Sequence, residues 1–198
     1  MNSPAVHDAK RVIRRETRNR VRSMSEEKFR QHSPEAVRLL LERPEWHNAQ
    51  RVLGYVALQD ELDLSPTLKS AFEGGKTIAL PRFIPERGCY EAAVLPETEG
   101  FATLSFGRFG VLEPSSQAPV LPLNQLDFVL VPGVAFDSSG RRLGRGKGFY
   151  DRLLAETNKA CIRCGVALEE QLVAAIPAEA HDIPMNFILT PSRWIVCS

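Results

Sequence analysis

One passage of the 198-residue chain concentrates side chains able to do chemistry: Pro132, Gly133, Phe136, Asp137, Gly140, Arg141, Arg142, Leu143, Gly144, Arg145, Gly146, Lys147, Gly148, Phe149, Tyr150, Asp151 and Arg152. Gly144, Gly146 and Gly148 alternate with Arg145 and Lys147. Backbone N–H groups can therefore approach a ligand closely while two cations reach it, which is the combination a polyphosphate requires. Two familiar phosphate loops do not fit. The GxxxxGK[ST] pattern fails because Gly140 lies one position too far from Gly146, and Gly148 stands where the magnesium-binding hydroxyl belongs. GxGxxG fails because Gly144 and Gly146 are followed by Phe149 where a third glycine is needed. Close glycines interleaved with cations, then an aromatic pair and an acid, still separate this passage from an idle basic turn.

The passage must be held by ordered elements. It follows Leu126 to Val131, a nearly continuous apolar run that reads as a central strand covered on both faces, and it precedes a helix predicted from Tyr150 to Glu156. That is where open α/β sheets bind ligands. Upstream, the pattern predicts a basic helix from near Asp8 to Arg22 and a second helix with Ser33 as N-cap and Pro34 at its first position. Val52 to Leu58, Thr77 to Leu80, Tyr90 to Leu95, Ile162 to Leu168, Phe187 to Leu189 and Trp194 to Val196 read as strands, and Ser65-Pro66 opens a helix ended by Gly74-Gly75. Residues 88 to 122 are the least periodic part, of the kind that often shapes a binding site. The alternation argues a three-layer α/β domain spanning 1–198, with a mainly parallel sheet.

Composition narrows the class. With 43% hydrophobic and 25% charged residues the chain is neither disordered nor fibrous, and its longest apolar stretch, Phe128 to Phe136, is far short of the ~20 residues of a spanning helix. Asp8 and Lys10 interrupt any apolar core of an export signal, so a cytoplasmic protein with no membrane partner is expected. The formal net charge is +1, but residues 10–22 carry +6, residues 137–152 carry +3, and the remainder −8. Positive charge is thus gathered into two short segments of an acidic body. Cys161 and Cys164 invite a redox or zinc reading. On a strand, however, residues three apart face opposite ways, and His7, His32, His47 and His181 show no metal-binding spacing. Cys89, Cys161, Cys164 and Cys197 are therefore read as structural thiols.

With these residues in view, the glycine-rich passage resembles the long motif of the 5-formyltetrahydrofolate cyclo-ligase family, roughly PGxxFDxxGxRLGxGxGYYD, with Phe149 in place of the usual first tyrosine. Further blocks agree in order: Lys10 to Arg15 (KRVIRR), Tyr55 to Leu62 (YVALQDEL), Gly75 to Arg82 (GKTIALPR), Phe109 to Pro114 (FGVLEP) and Pro177 to Asp182 (PAEAHD). The resemblance covers essentially the whole chain. Asn186 departs from it, standing where a second aspartate commonly follows the His-Asp pair.

The resemblance implies a Rossmann-like fold with an N-terminal basic helix, acting as a monomer on 5-formyltetrahydrofolate, with ATP as co-substrate and Mg²⁺ as cofactor. The products would be 5,10-methenyltetrahydrofolate, ADP and phosphate, formed through a phosphorylated formyl group. By the same resemblance Lys10, Arg14, Arg145, Gly146, Lys147, Gly148, Phe149 and Tyr150 bind ATP, with Arg145 and Lys147 also catalytic. Glu61 fixes the pterin, Arg82 meets a substrate anion, Phe109 and Phe149 stack on the pterin, and Asp151 and Asp182 hold the metal. Two competing readings remain at this point. One is a paralogue that binds nucleotide or folate without turnover, hinted at by Asn186 and Phe149. The other is a nucleic-acid binder using KRVIRRETRNRVR, which the acidic remainder of the chain opposes.

Overall fold

The computed structural model describes residues 4–96, 100–179 and 182–198, and in it the apolar runs pair into one large sheet with helices on both faces. In chain order the helices are α1 (Pro4–Arg22), α2 (Glu26–Leu41), α3 (Pro44–Asn48), α4 (Ser65–Glu73) and α5 (Phe149–Ala155). The strands are β1 (Arg51–Leu53), β2 (Thr77–Ile84), β3 (Cys89–Val94), β4 (Ser105–Phe106), β5 (Leu112–Glu113), β6 (Val120–Leu121), β7 (Phe128–Pro132), β8 (Ala135–Phe136), β9 (Arg142–Leu143), β10 (Ile162–Val166), β11 (Phe187–Leu189) and β12 (Trp194–Val196). The sheet runs β12-β11-β10-β7-β1-β2-β3-β6. Its five central strands, from β11 to β2, are parallel, while β12, β3 and β6 join antiparallel at the edges. β4–β5 and β8–β9 form separate hairpins.

Both faces of the sheet are dry, as its continuous apolar strands demand. On one face Leu40 of α2, Trp46 of α3 and Leu68 of α4 cover Val52, Ile78, Phe128 and Leu130. Trp46 meets Phe128 edge-on, with ring centroids 5.6 Å apart. On the other face Leu153 and Leu154 of α5 cover Leu53, Val129 and Val131. Cys164 joins the first cluster and Cys161 the second, so the CxxC pair is split by the sheet as strand geometry requires. All four cysteines are free, and burial pushes the Cys161 thiol up to about 12.

Among the differences from the sequence expectation, which include a longer β2 and the unexpected α3, two have a visible tertiary cause. α2 begins at Glu26 and carries Pro34 inside it, instead of starting at Ser33. Buried Ala36 and Leu40, with Phe29 packed on the same core, reward the longer helix, and the Ser33 hydroxyl takes a tertiary role, accepting the Asp63 N–H at 3.0 Å. β1 is also shorter than the apolar run Val52–Leu58. The chain leaves the sheet at Gly54, and Tyr55, Val56 and Leu58 line a cavity instead.

The switch of strand order falls between β1 and β7. From β1 the chain moves outward to β2, then returns to β7 on the other side of β1. Loops leaving the carboxyl ends of these two parallel strands diverge and open a crevice, the usual ligand position in such sheets. α1 packs across this end against β8 and the turn Glu169–Gln171, with Ile13 against Ala135, Leu143 and Ile176.

That turn is tied to the carboxyl end of β11 by Glu169, which accepts from Ser192 Oγ at 2.6 Å and also from Thr190 and Arg193. Burial works against the charge. The hydrogen bonds from Arg193, Ser192 and Thr190 outweigh it and hold the Glu169 carboxyl at about 2. A depressed folded value contributes stability above the unfolded value of about 4.3, and this is lost as pH falls toward 2. Glu169→Gln is therefore expected to lower the melting temperature at pH 7, with the gap to wild type closing between about pH 4.5 and pH 2. A gap unchanged across that window would show that the ion pair does not contribute.

Candidate active site

The crevice holds a cavity of about 610 Å³ whose walls come from α1, the loop after β1, β2, β3, the β4–β5 hairpin and the glycine-rich passage. Of the residues expected at a site, Lys10, Arg14, Glu61, Phe109, Arg145, Gly146, Lys147, Gly148, Phe149, Tyr150, Asp151 and Asp182 all line it. The two positive segments, far apart in sequence, meet here: Arg14 Nε donates to the Gly144 carbonyl at 2.9 Å. α1 reaches inward with Lys10, Arg14, Thr17 and Val21, an i, i+4, i+7, i+11 face, while Arg11, Arg15, Arg20 and Arg22 stay exposed.

The charges are unevenly satisfied. Lys10, buried, donates to Glu179 Oε2 at 2.6 Å and Asp182 Oδ2 at 2.9 Å. Desolvation lowers its pKa, but hydrogen bonds and charge from Asp182 and Glu179 outweigh it and leave it raised. Arg14 goes the other way: burial, then repulsion from Arg18 and Arg142, lowers its pKa. Charge from Asp182 and Glu179 offsets this only in part. Arg145 NH2 reaches Asp60 Oδ1 at 2.6 Å and Glu61 Oε1 at 2.9 Å, and Leu58 N–H donates to Glu61 Oε2 at 3.0 Å. Lys147 carries no ion pair among the described residues; only its carbonyl is engaged, by Arg152 at 3.3 Å. Gly146 (φ 103°) and Gly148 (φ 62°) supply left-handed backbone on either side of it, which accounts for glycine at both.

An aromatic group forms another part of the wall. Phe149 packs against Phe83, Tyr90 and Phe109 with centroids 5.3, 5.1 and 5.6 Å away, and Phe109 is 44% exposed at the rim. Tyr150 is half-buried beneath the Arg142 guanidinium, 5.6 Å from its ring, and desolvation raises the phenol pKa. A planar heterocycle fits such a wall.

Three expectations change. Arg82 does not line the cavity. Its guanidinium donates to Glu91 at 2.7 Å, to the Ala118 carbonyl at 3.1 Å and to the Ser115 carbonyl, so it braces β2 against β3 and the following loop. Asn186 is likewise elsewhere: its Oδ1 accepts the Arg163 N–H at 2.9 Å and Nε at 3.2 Å. Asp182 holds Lys10 and accepts the Glu179 N–H at 2.8 Å, a bracing role in addition to any other. Its neighbour His181 lies outside the described residues.

Four wall residues carried no role in the sequence. Arg142, buried, donates to Asp151 Oδ1 at 2.8 Å and fixes that acid at the cavity wall. Glu179 pairs with Lys10, and Tyr55 donates to the Leu62 carbonyl at 2.6 Å, shaping the loop after β1. Glu113 is buried, with Oε2 accepting the Phe83 N–H at 3.1 Å; burial raises its pKa, only partly offset by that bond and Arg82. All four sat inside motif blocks. Nothing in their spacing distinguished them from neighbouring residues.

A glycine-rich passage carrying two cations at the switch point of an open α/β sheet, beside an aromatic slot, is the arrangement of a small-molecule site with room for an anionic group and a planar one. A sequence model described as the 5-formyltetrahydrofolate cyclo-ligase family matches residues 6–191. The chain belongs to that family. It is 33% identical over 184 residues to the 5-formyltetrahydrofolate cyclo-ligase of Escherichia coli K12, covering 89% of this chain and 97% of the relative. It is 28% identical over 200 residues to that of Mus musculus, covering 96% and 97%. Among solved structures, the 5,10-methenyltetrahydrofolate synthetase of Aquifex aeolicus superposes with a TM-score of 0.80 at 31% identity, over 94% of this chain and 92% of that one.

Proposed function

We propose that the chain closes the ring of 5-formyltetrahydrofolate to 5,10-methenyltetrahydrofolate at the expense of ATP, in the cavity between β1 and β7. The observation that carries this is the meeting of α1 and the glycine-rich passage through Arg14 and Gly144, which gathers both positive segments around one cavity with an aromatic wall. Membership of the family supports the catalytic reading over a silent paralogue or a nucleic-acid binder.

The chemistry asks for charge neutralisation and positioning. A formamide oxygen leaves poorly, so the γ-phosphoryl of ATP is transferred to it, ADP departs, and N10 attacks the activated formyl carbon. Expulsion of phosphate and loss of the N10 proton complete the ring. Arg14 and Arg145 bind the triphosphate, and the Lys147 ammonium meets the charge on the transferring group. Glu61 accepts from the pterin amino and ring N–H donors, while Phe109 and Phe149 pack on its face. Tyr150 lines the nucleotide side.

The donors suit a magnesium ion that arrives on phosphates. Among the described residues no three His, Cys, Asp or Glu side chains cluster as a cage, and Mg²⁺ in such sites needs only one or two carboxylates. Asp151 has one oxygen committed to Arg142 and is the residue assigned to hold it; Asp182 contributes by fixing Lys10. A magnesium ion held there would supply neutralisation of phosphate charge. Asp151→Asn is expected to raise the Mg²⁺ needed for half-maximal turnover several-fold; an unaltered titration would leave Asp151 only the task of orienting Arg142.

Incubation with Mg·ATP and 5-formyltetrahydrofolate tests the reading. The near-ultraviolet absorbance of the methenyl product should appear only when ATP is present, with one ADP per product. Binding of both ligands without absorbance would favour the non-catalytic paralogue.

A further inference from the structure

Of the two cations interleaved with Gly144, Gly146 and Gly148, Arg145 is tied down by carboxylates, and the tie runs across the crevice to the loop after β1. A single nitrogen, NH2, serves two carboxylates adjacent in sequence but unlike in surroundings. The Glu61 side chain is 8% exposed and has its second oxygen on the Leu58 N–H; the Asp60 side chain is 41% exposed and meets Arg145 alone among the described residues. The ligand that Glu61 is assigned competes with Arg145 for the same Oε1. Binding there can displace Arg145 from that oxygen, and the displacement would leave its guanidinium, whose side chain is 40% exposed, without a carboxylate unless another acid kept it.

We propose that Asp60 is a positioning residue: it retains Arg145 while Glu61 changes partner, so that filling the folate slot and filling the phosphate site favour each other. This rests on the cyclo-ligase reading above. Before substrate arrives, the Arg145 NH2 group is occupied by two carboxylates and is not available to a triphosphate. Once Glu61 has turned to substrate donors, Arg145 is paired with Asp60 only, and its remaining N–H groups are available to phosphate oxygens. Asp60 also weakens the hold of Arg145 on Glu61 by sharing it. With Asp60 neutralised, substrate must break a one-to-one ion pair, and the released Arg145 has no tether.

Titration calorimetry with 5-formyltetrahydrofolate and a non-hydrolysable β,γ-imido analogue of ATP, each alone and in the presence of the other, tests this. In the wild type each ligand should tighten the other by the same factor, about fivefold or more. In Asp60→Asn that factor should fall toward unity and the folate Kd should rise several-fold, with Asp60→Glu restoring both. The exposed position of Asp60 leaves the fold intact, which far-ultraviolet circular dichroism checks. Independent binding of the two ligands to the wild type, or wild-type coupling in Asp60→Asn, would overturn the proposal while leaving the cyclo-ligase reading standing. If neither ligand bound the wild type, that reading would fail and this one with it.

Discussion

Replacing Lys147 with alanine is expected to lower kcat about 10²- to 10³-fold while KM for 5-formyltetrahydrofolate stays within about twofold. Its ammonium has no ion pair among the described residues, whereas Lys10 is buried between two acids and Arg145 is shared by two more. Gly146 and Gly148 on either side hold conformations that other residues reach only with strain, so the backbone at Lys147 is set while its side chain stays unengaged. A cation with no ion pair among the described residues is free to follow the charge that develops on the transferring phosphoryl group. Such an interaction appears in kcat and hardly in substrate binding. Steady-state kinetics with each substrate varied measures it. An unchanged kcat would remove Lys147 from the catalytic list, and a rise in KM alone would make it a binding residue.

The second large effect is on stability. Gly140→Ala should cost about 2–4 kcal/mol, combining a left-handed residue with a backbone clash. Gly140 has φ 79°, and an added Cβ would stand 2.4 Å from the Met185 carbonyl oxygen and 3.0 Å from Cys197 Cβ. The turn cannot drift away, because Asp137, 1% exposed, fastens it. Its Oδ1 accepts the N–H groups of Ser139 (3.0 Å) and Arg141 (3.1 Å), and its Oδ2 that of Ile176 (2.7 Å). The Gly140 carbonyl in turn accepts the Met185 N–H at 2.8 Å. For a domain of this size the loss corresponds to a fall in Tm of roughly 5–15 °C, read by calorimetry. A Tm within about a degree of wild type would mean that the turn relaxes more easily than its hydrogen bonds allow.

Periodicity reached most of the fold, because strands buried on both faces read as uninterrupted apolar runs: Leu126 to Val131 marks β7, and Phe187–Leu189 and Trp194–Val196 are the observed edges of β11 and β12. It misled where tertiary contacts outweighed local signals. Ser33-Pro34 has the form of a helix start, yet packing of Phe29, Ala36 and Leu40 carries α2 through it. In VLGYVAL the second half is apolar because it lines a cavity, which no strand pattern distinguishes from a core.

The site was legible where chemistry is local in sequence, in the glycine-rich passage, and in the charge asymmetry that paired it with α1. It was not legible where a role depends on a partner far along the chain. Arg82 looks like an anion binder until Glu91, Ser115 and Ala118 surround it. Arg142 looks like one basic residue among several until burial places it against Asp151. Asn186, a departure from the family pattern in the sequence, accepts from Arg163 away from the cavity.

The central claim is that this cavity transfers a phosphoryl group to the formyl oxygen before ring closure. Turnover of 5-formyltetrahydrofolate carrying ¹⁸O in the formyl group, with ordinary Mg·ATP, tests it directly by mass analysis of the released phosphate. One ¹⁸O per inorganic phosphate is predicted. Unlabelled phosphate, with the label lost to water, would contradict it.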